Sequence, residues 1–419
     1  MKKQILLLLL TTFTMFSQQY KIPNYYEFER EGKFGKVNYK GQIVIPAIYD
    51  SFGQDENGYF SAQLNGKYGV IDRNNKVIIP FKYDYVDHMK NDLVRVQLNE
   101  KYGWINLKNK VVIPIIYDSI TLLNDGTFIA SKNEKTGLID KNGKVIIDFK
   151  YSTFGIGDAI QEIGYSENKI VFEKDGKSGF LDRQQKEIIA PKFDGAYSFH
   201  NNYAIAIVDK LYGIIDQSGK FVIDPTFTNI YYYKGFYETV KNKKKGYLNS
   251  DLKEILPTEY YEVEDFSEGL AVVEKDKKFG LINQNGEFVI PLIYDGAHEC
   301  TEGLIAVLKD GYWGFVDPTN KTIIDFKFTG NVWPFKNGVA YYNKRGFSSM
   351  GKYNDEIVGL IDKKGEIILA PKYKEIGYLK NDGCLIAQKD GKDYLINLKG
   401  EEIFQLKDTE LVPTINSLN

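Results

Sequence analysis

Glu268–Thr301, EGLAVVEKDKKFGLINQNGEFVIPLIYDGAHECT, is the stretch from which nearly the whole chain is copied, and its reading decides the fold. Three apolar runs, Leu270–Val273, Phe279–Ile282 and Phe288–Ile290, are separated by turn chemistry, as in a β-meander and not in a pair of helices. The first link is the polar turn Lys275, Asp276, Lys277. The second is Asn283, Gln284, Asn285, Gly286, where the glycine supplies the positive φ of a tight hairpin. Pro291 has no N–H to give to a further rung, so the third strand is expected to end there. Tyr294 and Asp295 then lead into the next copy.

The copies register on a glycine at positions 35, 69, 103, 137, 179, 213, 246, 280, 314 and 359, with Tyr394 in that slot of a degenerate eleventh unit. The spacings are 34, 34, 34, 42, 34, 33, 34, 34, 45 and 35 residues. Three residues after each slot stands Asp or Asn: Asn38, Asp72, Asn106, Asp140, Asp182, Asp216, Asn249, Asn283, Asp317, Asp362 and Asn397. Fourteen residues after each glycine stands an aromatic, from Tyr49 through Tyr83, Tyr117, Tyr151, Phe193, Phe227, Tyr260, Tyr294 and Phe328 to Tyr373. Such constancy points to one local task per slot: a turn-forming acceptor for the Asp or Asn, and packing for the ring.

With these residues in view, the chain resembles the WG-repeat family of bacterial proteins, whose units carry a GKWGFID-like segment followed by an NGKIVIPPKYD-like one. The nearest copy is GYWGFVD at Gly311–Asp317, where Trp313-Gly314 is the one true Trp-Gly pair. Phe34, Tyr68, Tyr102, Tyr212 and Phe279 keep an aromatic in the tryptophan slot, whereas Thr136, Ser178, Lys245 and Val358 do not. The resemblance covers residues 31–407 in eleven registered copies. It implies a repeat scaffold and brings no catalytic motif.

Met1–Gln19 has Lys2 and Lys3, an apolar stretch from Ile5 to Leu10, and the small Ser17 before Gln18, the layout of a signal peptide cleaved near Ser17. The run is too short and too broken by threonines for a membrane span. The chain is therefore expected to be exported to the periplasm, the cell surface or the medium. Formal charge is -2 for the whole chain and -4 after the two leader lysines are lost, which offers no basic surface for nucleic acid. Two cysteines two units apart, Cys300 and Cys384, make no disulfide framework.

Residues 20–30 read as a lead-in segment, 31–407 as one uninterrupted array and 408–419 as a tail. Helical repeats of similar length are excluded by the Val, Ile, Tyr and Phe content of the runs and by the absence of an i, i+3, i+4 face. Continuous runs such as Val77-Ile78-Ile79 suggest strands covered on both faces by neighbouring units, so stability is expected from stacking. Propeller blades usually have four strands and come in four to eight copies. Shorter and more numerous units favour an all-β open curved solenoid of three-stranded repeats. In that reading Lys36 and Tyr39, and Tyr394 and Gln405, mark terminal caps. A fourth strand from Tyr294–Cys300 would instead make a propeller-like closed array.

No nucleophile motif, phosphate loop or metal-ligand spacing is present, and His88, His200 and His298 fall in separate units. No cofactor is expected, and an enzyme such as a glycoside hydrolase is the least favoured reading. Two insertions, around Gly155–Tyr165 and Asn343–Asp355, and the tyrosines outside the packing slot are the places to look for specificity. The candidate partner-binding residues are Tyr231, Tyr232, Tyr233, Tyr341, Tyr342, Phe347 and Tyr353, with Tyr237 beside them. A protein partner is the leading expectation and a glycan the alternative.

Overall fold

The structure is a computed structural model and describes residues 25–90, 92–123, 125–154, 164–344, 357–377, 379 and 383–407. The leader, the tail from 408 onward, most of both inserted loops, and with them Phe347 and Tyr353, lie outside the described residues. Among the described residues there is no α-helix, and hence none long and apolar enough to cross a membrane.

The described strands form eleven antiparallel sheets of three or four strands in sequential order, one per repeat. In the unit quoted first, the three apolar runs become strands Leu270–Lys275, Lys278–Asn283 and Phe288–Tyr294. Asp276 and Lys277 both adopt positive φ in the first hairpin, and Gly286 does so in the second. The link after Tyr294 also becomes a strand, Gly296–Thr301, but it pairs forward onto Leu304–Lys309 of the next repeat. Each full blade therefore takes its first strand from the link and its other three from one sequence unit.

The ring is closed, which overturns the open solenoid and matches the propeller alternative. Tyr25–Arg30, read as part of a lead-in, is a strand of the first blade paired with Lys33–Asn38. It packs against the chain's last described strand, Glu402–Lys407. Tyr26, Phe28 and Val37 share one buried cluster with Cys384, Leu395 and Leu406. Phe28 meets Phe404 edge-on at 5.5 Å, and Arg30 Nη2 donates to the Gln405 carbonyl at 2.9 Å. Lys36 is no solvated cap: it is 8% exposed, pairs with Glu27 and lies over the Phe52 ring. Caps are needed where a stack ends, and here the first blade supplies the neighbour that the last one lacks. With eleven blades the turn is about 33° per blade, so narrow units close in a larger number than the usual range.

The core lies between blades. One cluster joins Val272, Leu281, Ile290 and Tyr294 to Ile305, Val307 and Val316 of the following blade, and the same arrangement recurs around the ring. Fully burying each such aliphatic side chain contributes roughly 1.5–3 kcal/mol. The stacking expectation therefore holds, although the fourth strands alternate: Val77 is 49% exposed while Ile79 is buried.

The repeat glycine stands where the third strand meets a bulge in the fourth. At all ten positions a Cβ would lie 2.6–2.8 Å from the carbonyl oxygen of Ile45 or its equivalent, so no side chain fits without moving backbone. The expectation that proline ends the third strand of the repeat is overturned: Pro46 and Pro291 lie inside Ile43–Tyr49 and Phe288–Tyr294. They sit in the unpaired part of the bulge, between the Lys36–Ile45 and Phe34–Tyr49 pairs and between their counterparts, where no N–H is required.

Candidate binding surface

The polar side chains that recur from unit to unit serve turns within blades and links between them. The Asp or Asn three after each slot accepts N–H groups two and four residues on, as Asp317 does from Thr319 and Lys321 at 2.9 and 3.1 Å. This local turn accounts for them without calcium, and among the described residues no cluster of three or more His, Cys, Asp or Glu is placed to hold a metal.

Rings of the packing slot are buried, apart from the half-buried Phe227. Several of their hydroxyls also donate to a turn asparagine of the next blade, as in Tyr49 to Asn75, Tyr83 to Asn109 and Tyr294 to Asn320 at 2.6–2.8 Å.

A second staple was missed from sequence. Asp295 accepts from Lys278 at 2.6 Å within its blade and from the Asp310 N–H at 3.0 Å in the next, and Asp50, Asp84, Asp118 and Asp194 repeat this. The lysine hydrogen bond holds each of these carboxyls below its ordinary range. The signal was legible: a lysine two before and an aspartate fifteen after the slot glycine in five units.

The off-register tyrosines divide. Tyr341 and Tyr342 are 5% and 7% exposed and belong to the core; the Tyr341 hydroxyl donates to the Gly377 carbonyl and accepts from the Leu379 N–H. Tyr237 is buried too, its hydroxyl donating to the His200 carbonyl at 3.2 Å. These three cannot form a surface, because their strand positions point into inter-blade packing. Tyr231 and Tyr233, at 55% and 47% exposed, are on the surface. They stand two apart on the first strand of the seventh blade, Asn229–Tyr233, and so share one face. Tyr232 points the other way, half-buried, and stacks on His200 at 4.3 Å.

A cleft opens on each side of that strand. The one toward the sixth blade, of about 140 Å³, is walled by Tyr197, His200, Tyr203, Tyr231, Tyr232 and Tyr237. The one toward the eighth blade is smaller, about 30 Å³. Phe236, Tyr247 and Phe266 form its back, with Phe236 and Phe266 centroids 4.5 Å apart, and Tyr231 and Tyr233 stand at its mouth. Glu238, Asp265 and Lys234 complete it.

This blade is also electrostatically unusual. Its tryptophan slot holds Lys245, the only cation found there among the eleven units. Its ammonium is shared by Glu238, at 3.5 Å, and Glu262. Burial raises the Glu238 carboxyl above its ordinary value against the pull of Lys245. Burial, reinforced by Glu299 and Glu262, pushes Glu264 up to about 7. Tyr247, raised strongly by burial, donates its hydroxyl to the Glu264 carbonyl at 3.0 Å. Of the histidines, His298 lies flat on Trp313 at 4.8 Å and burial lowers its pKa; His200 packs on Tyr232, and the side chain of His88 lies outside the described residues.

Among solved structures, the chain is similar to the extracellular domain of the one component system BT4673 from B. thetaiotaomicron, at 11% identity and TM-score 0.25 over 90% of this chain and 70% of that one. It is similar to a eukaryotic initiation factor at 8% identity and TM-score 0.41, over 91% and 95% of the two chains. It is also similar to PorZ, a surface component of the type-IX secretion system of Porphyromonas gingivalis, at 8% identity and TM-score 0.26 over 91% and 53%. At these scores nothing carries over to this chain beyond the likeness itself. No curated protein matches the sequence. The family model described as WG containing repeat matches ten times, at residues 34–68, 68–102, 102–135, 137–156, 179–212, 212–244, 246–279, 279–313, 313–346 and 359–392. The repeated glycine, its turn acceptor and its packing ring are thus those of a known repeat, and the chain belongs to the WG-repeat family.

Proposed function

We propose that this propeller is an exported, non-catalytic docking ring that binds a protein partner through the surface centred on Tyr231 and Tyr233. The observation that carries the reading is their exposure on one strand face, between two aromatic-walled clefts, in a molecule whose other repeat tyrosines are mostly used for packing. Tyrosine supplies a large contact area with a polar tip and few rotamers to freeze, which suits a protein interface. Export rests on the leader Met1–Gln19. The non-catalytic reading rests on the sequence, which carries no nucleophile motif, phosphate loop or metal-ligand spacing.

The experiment is a pull-down from envelope extract with the mature chain and with its Tyr231→Ser/Tyr233→Ser variant. Capture of a protein by the parent and not by the variant supports the proposal, and equal capture by both removes this surface from it. The same exposed rings also favour a glycan, which stacks on tyrosine faces. A glycan array run beside the pull-down decides for that second reading if a sugar class binds the parent alone.

A further inference from the structure

The smaller cleft has a chemistry of its own, and its assignment to a ligand rests on the docking reading. Its back is made of three aromatic rings packed at 4.5–6.2 Å, and its mouth has two more. Ring faces carry negative partial charge, which attracts a cation. Glu238 and Asp265 stand in the same cleft. Asp265 is exposed and makes no ion pair among the described residues.

Charge in the surroundings is unbalanced. Five carboxylates, Glu238, Glu262, Glu264, Asp265 and Glu299, act on one another here, with Lys245 and Lys234 as the nearby cations. Lys245 is already taken by Glu238 and Glu262. Lys234 rests its ammonium 4.7 Å from the centroid of Tyr233, at the rim, which places one cation on an aromatic wall of this cleft. Burial is the first cause of the upward displacement of Glu238 and Glu264, and the neighbouring carboxylates add to it, those around Glu238 against the pull of Lys245.

We infer that this cleft receives the arginine or lysine side chain of a protein partner, with the aliphatic stem between Tyr231 and Tyr233 and the charged head between Asp265 and the Phe236–Phe266 rings. Arginine is the better occupant, because its flat guanidinium stacks on a ring while its edge donates to a carboxylate. Tyr231 also walls the larger cleft, so a partner segment crossing it sets a neighbouring apolar or aromatic side chain among Tyr197, Tyr203 and Tyr237. A basic residue beside an aromatic one is the recognition pattern this predicts.

The test is an NMR titration of the mature chain with Nα-acetyl-arginine amide, Nα-acetyl-lysine amide and the neutral Nα-acetyl-norleucine amide. Binding of the arginine compound at about millimolar level, with lysine weaker and norleucine absent, supports the inference. Asp265→Asn is expected to weaken arginine binding at least fivefold, and Lys234→Ala, which removes the resident cation, to strengthen it. Both substitutions are at exposed positions, and an unchanged melting temperature confirms the fold of each. Equal binding of norleucine, or arginine binding indifferent to Asp265→Asn, overturns it. A partner lost from the pull-down with Tyr231→Ser/Tyr233→Ser but retained with Asp265→Asn would sink the cation site while leaving the docking surface standing.

Discussion

Closure of the ring can be measured as an energy between residues 376 positions apart, and the pair to use is Phe28 and Phe404. Their centroids are 5.5 Å apart with planes at 73°, the edge-on geometry that adds about 0.5–1.5 kcal/mol beyond burial. The Arg30 guanidinium lies 5.4 Å from both ring centroids and ties them further. Phe28→Leu and Phe404→Leu keep an apolar side chain while deleting the ring pair. Phe28 is 1% exposed and Phe404 half-buried, so the first should be the costlier single change, at about 1–2 kcal/mol. In a closed ring each single variant already loses the ring pair, so the double variant should lose about 1 kcal/mol less than the sum of the two. In an open array the chain ends lie far apart, and distant sites add within about 0.3–0.5 kcal/mol. Urea unfolding of the four proteins, with unchanged slopes as the control on the unfolded state, gives the coupling directly. A sum additive within about 0.3 kcal/mol, with all four folded, would refute closure through this contact.

Four further outcomes are expected. Gly280→Ala places a methyl 2.6 Å from the Ile290 carbonyl and should cost about 3 kcal/mol by overpacking, whereas Gly377→Ala, with its nearest atom at 3.6 Å, should be close to neutral in the same melt. Asp317→Ala loses three turn hydrogen bonds, from the Thr319 N–H and hydroxyl and the Lys321 N–H, and should lower the melting temperature, and Asp317→Asn should restore most of the loss. Glu264 has a folded-state pKa raised to about 7 from 4.5, so its stabilising contribution is fully present below pH 4.5 and is lost as pH rises through 7. The groups around it are Glu299, Glu262, Lys245 and Asp265, and Glu264→Gln should flatten the fall in stability between pH 5 and 8. The Cys300 thiol, buried and pushed up to about 11, should resist iodoacetamide at pH 8 in the native protein and react on unfolding.

Legibility in the sequence tracks which constraints are local. The strands, hairpins and turn acceptors came from patterns within ten residues of each glycine, where Asn283 and Gly286 satisfy their geometry without outside help. Closure was hidden because it depends on the angle between blades, and no single repeat encodes that angle. Its sequence trace was the first strand, which the sequence assigns to a link and the structure to the next sheet. Tyr341 and Tyr342 were misplaced because an extra tyrosine outside the packing slot carries no mark of the face it occupies. Tyr231 and Tyr233 differ only in lying on a first strand at its exposed face. The acid surplus beside them was visible in part: Lys245, the one cation in the tryptophan slot, announced a blade with different electrostatics.

The prolines of the fourth strands have a consequence for how these molecules meet one another. Each fourth strand ends its sheet and presents an open edge, with apolar residues such as Ile43, Val111 and Ile367 more than half exposed on it. Uninterrupted edges of this kind, repeated around one ring, are templates for pairing with those of other copies. A proline and a bulge at Pro46, Pro80, Pro114 and Pro291 interrupt the row of donors on these strands, and so deny an incoming strand a continuous register. The residue that read as a stop signal within the repeat therefore bears on contacts between molecules, because it breaks the outer edge of each blade that carries it.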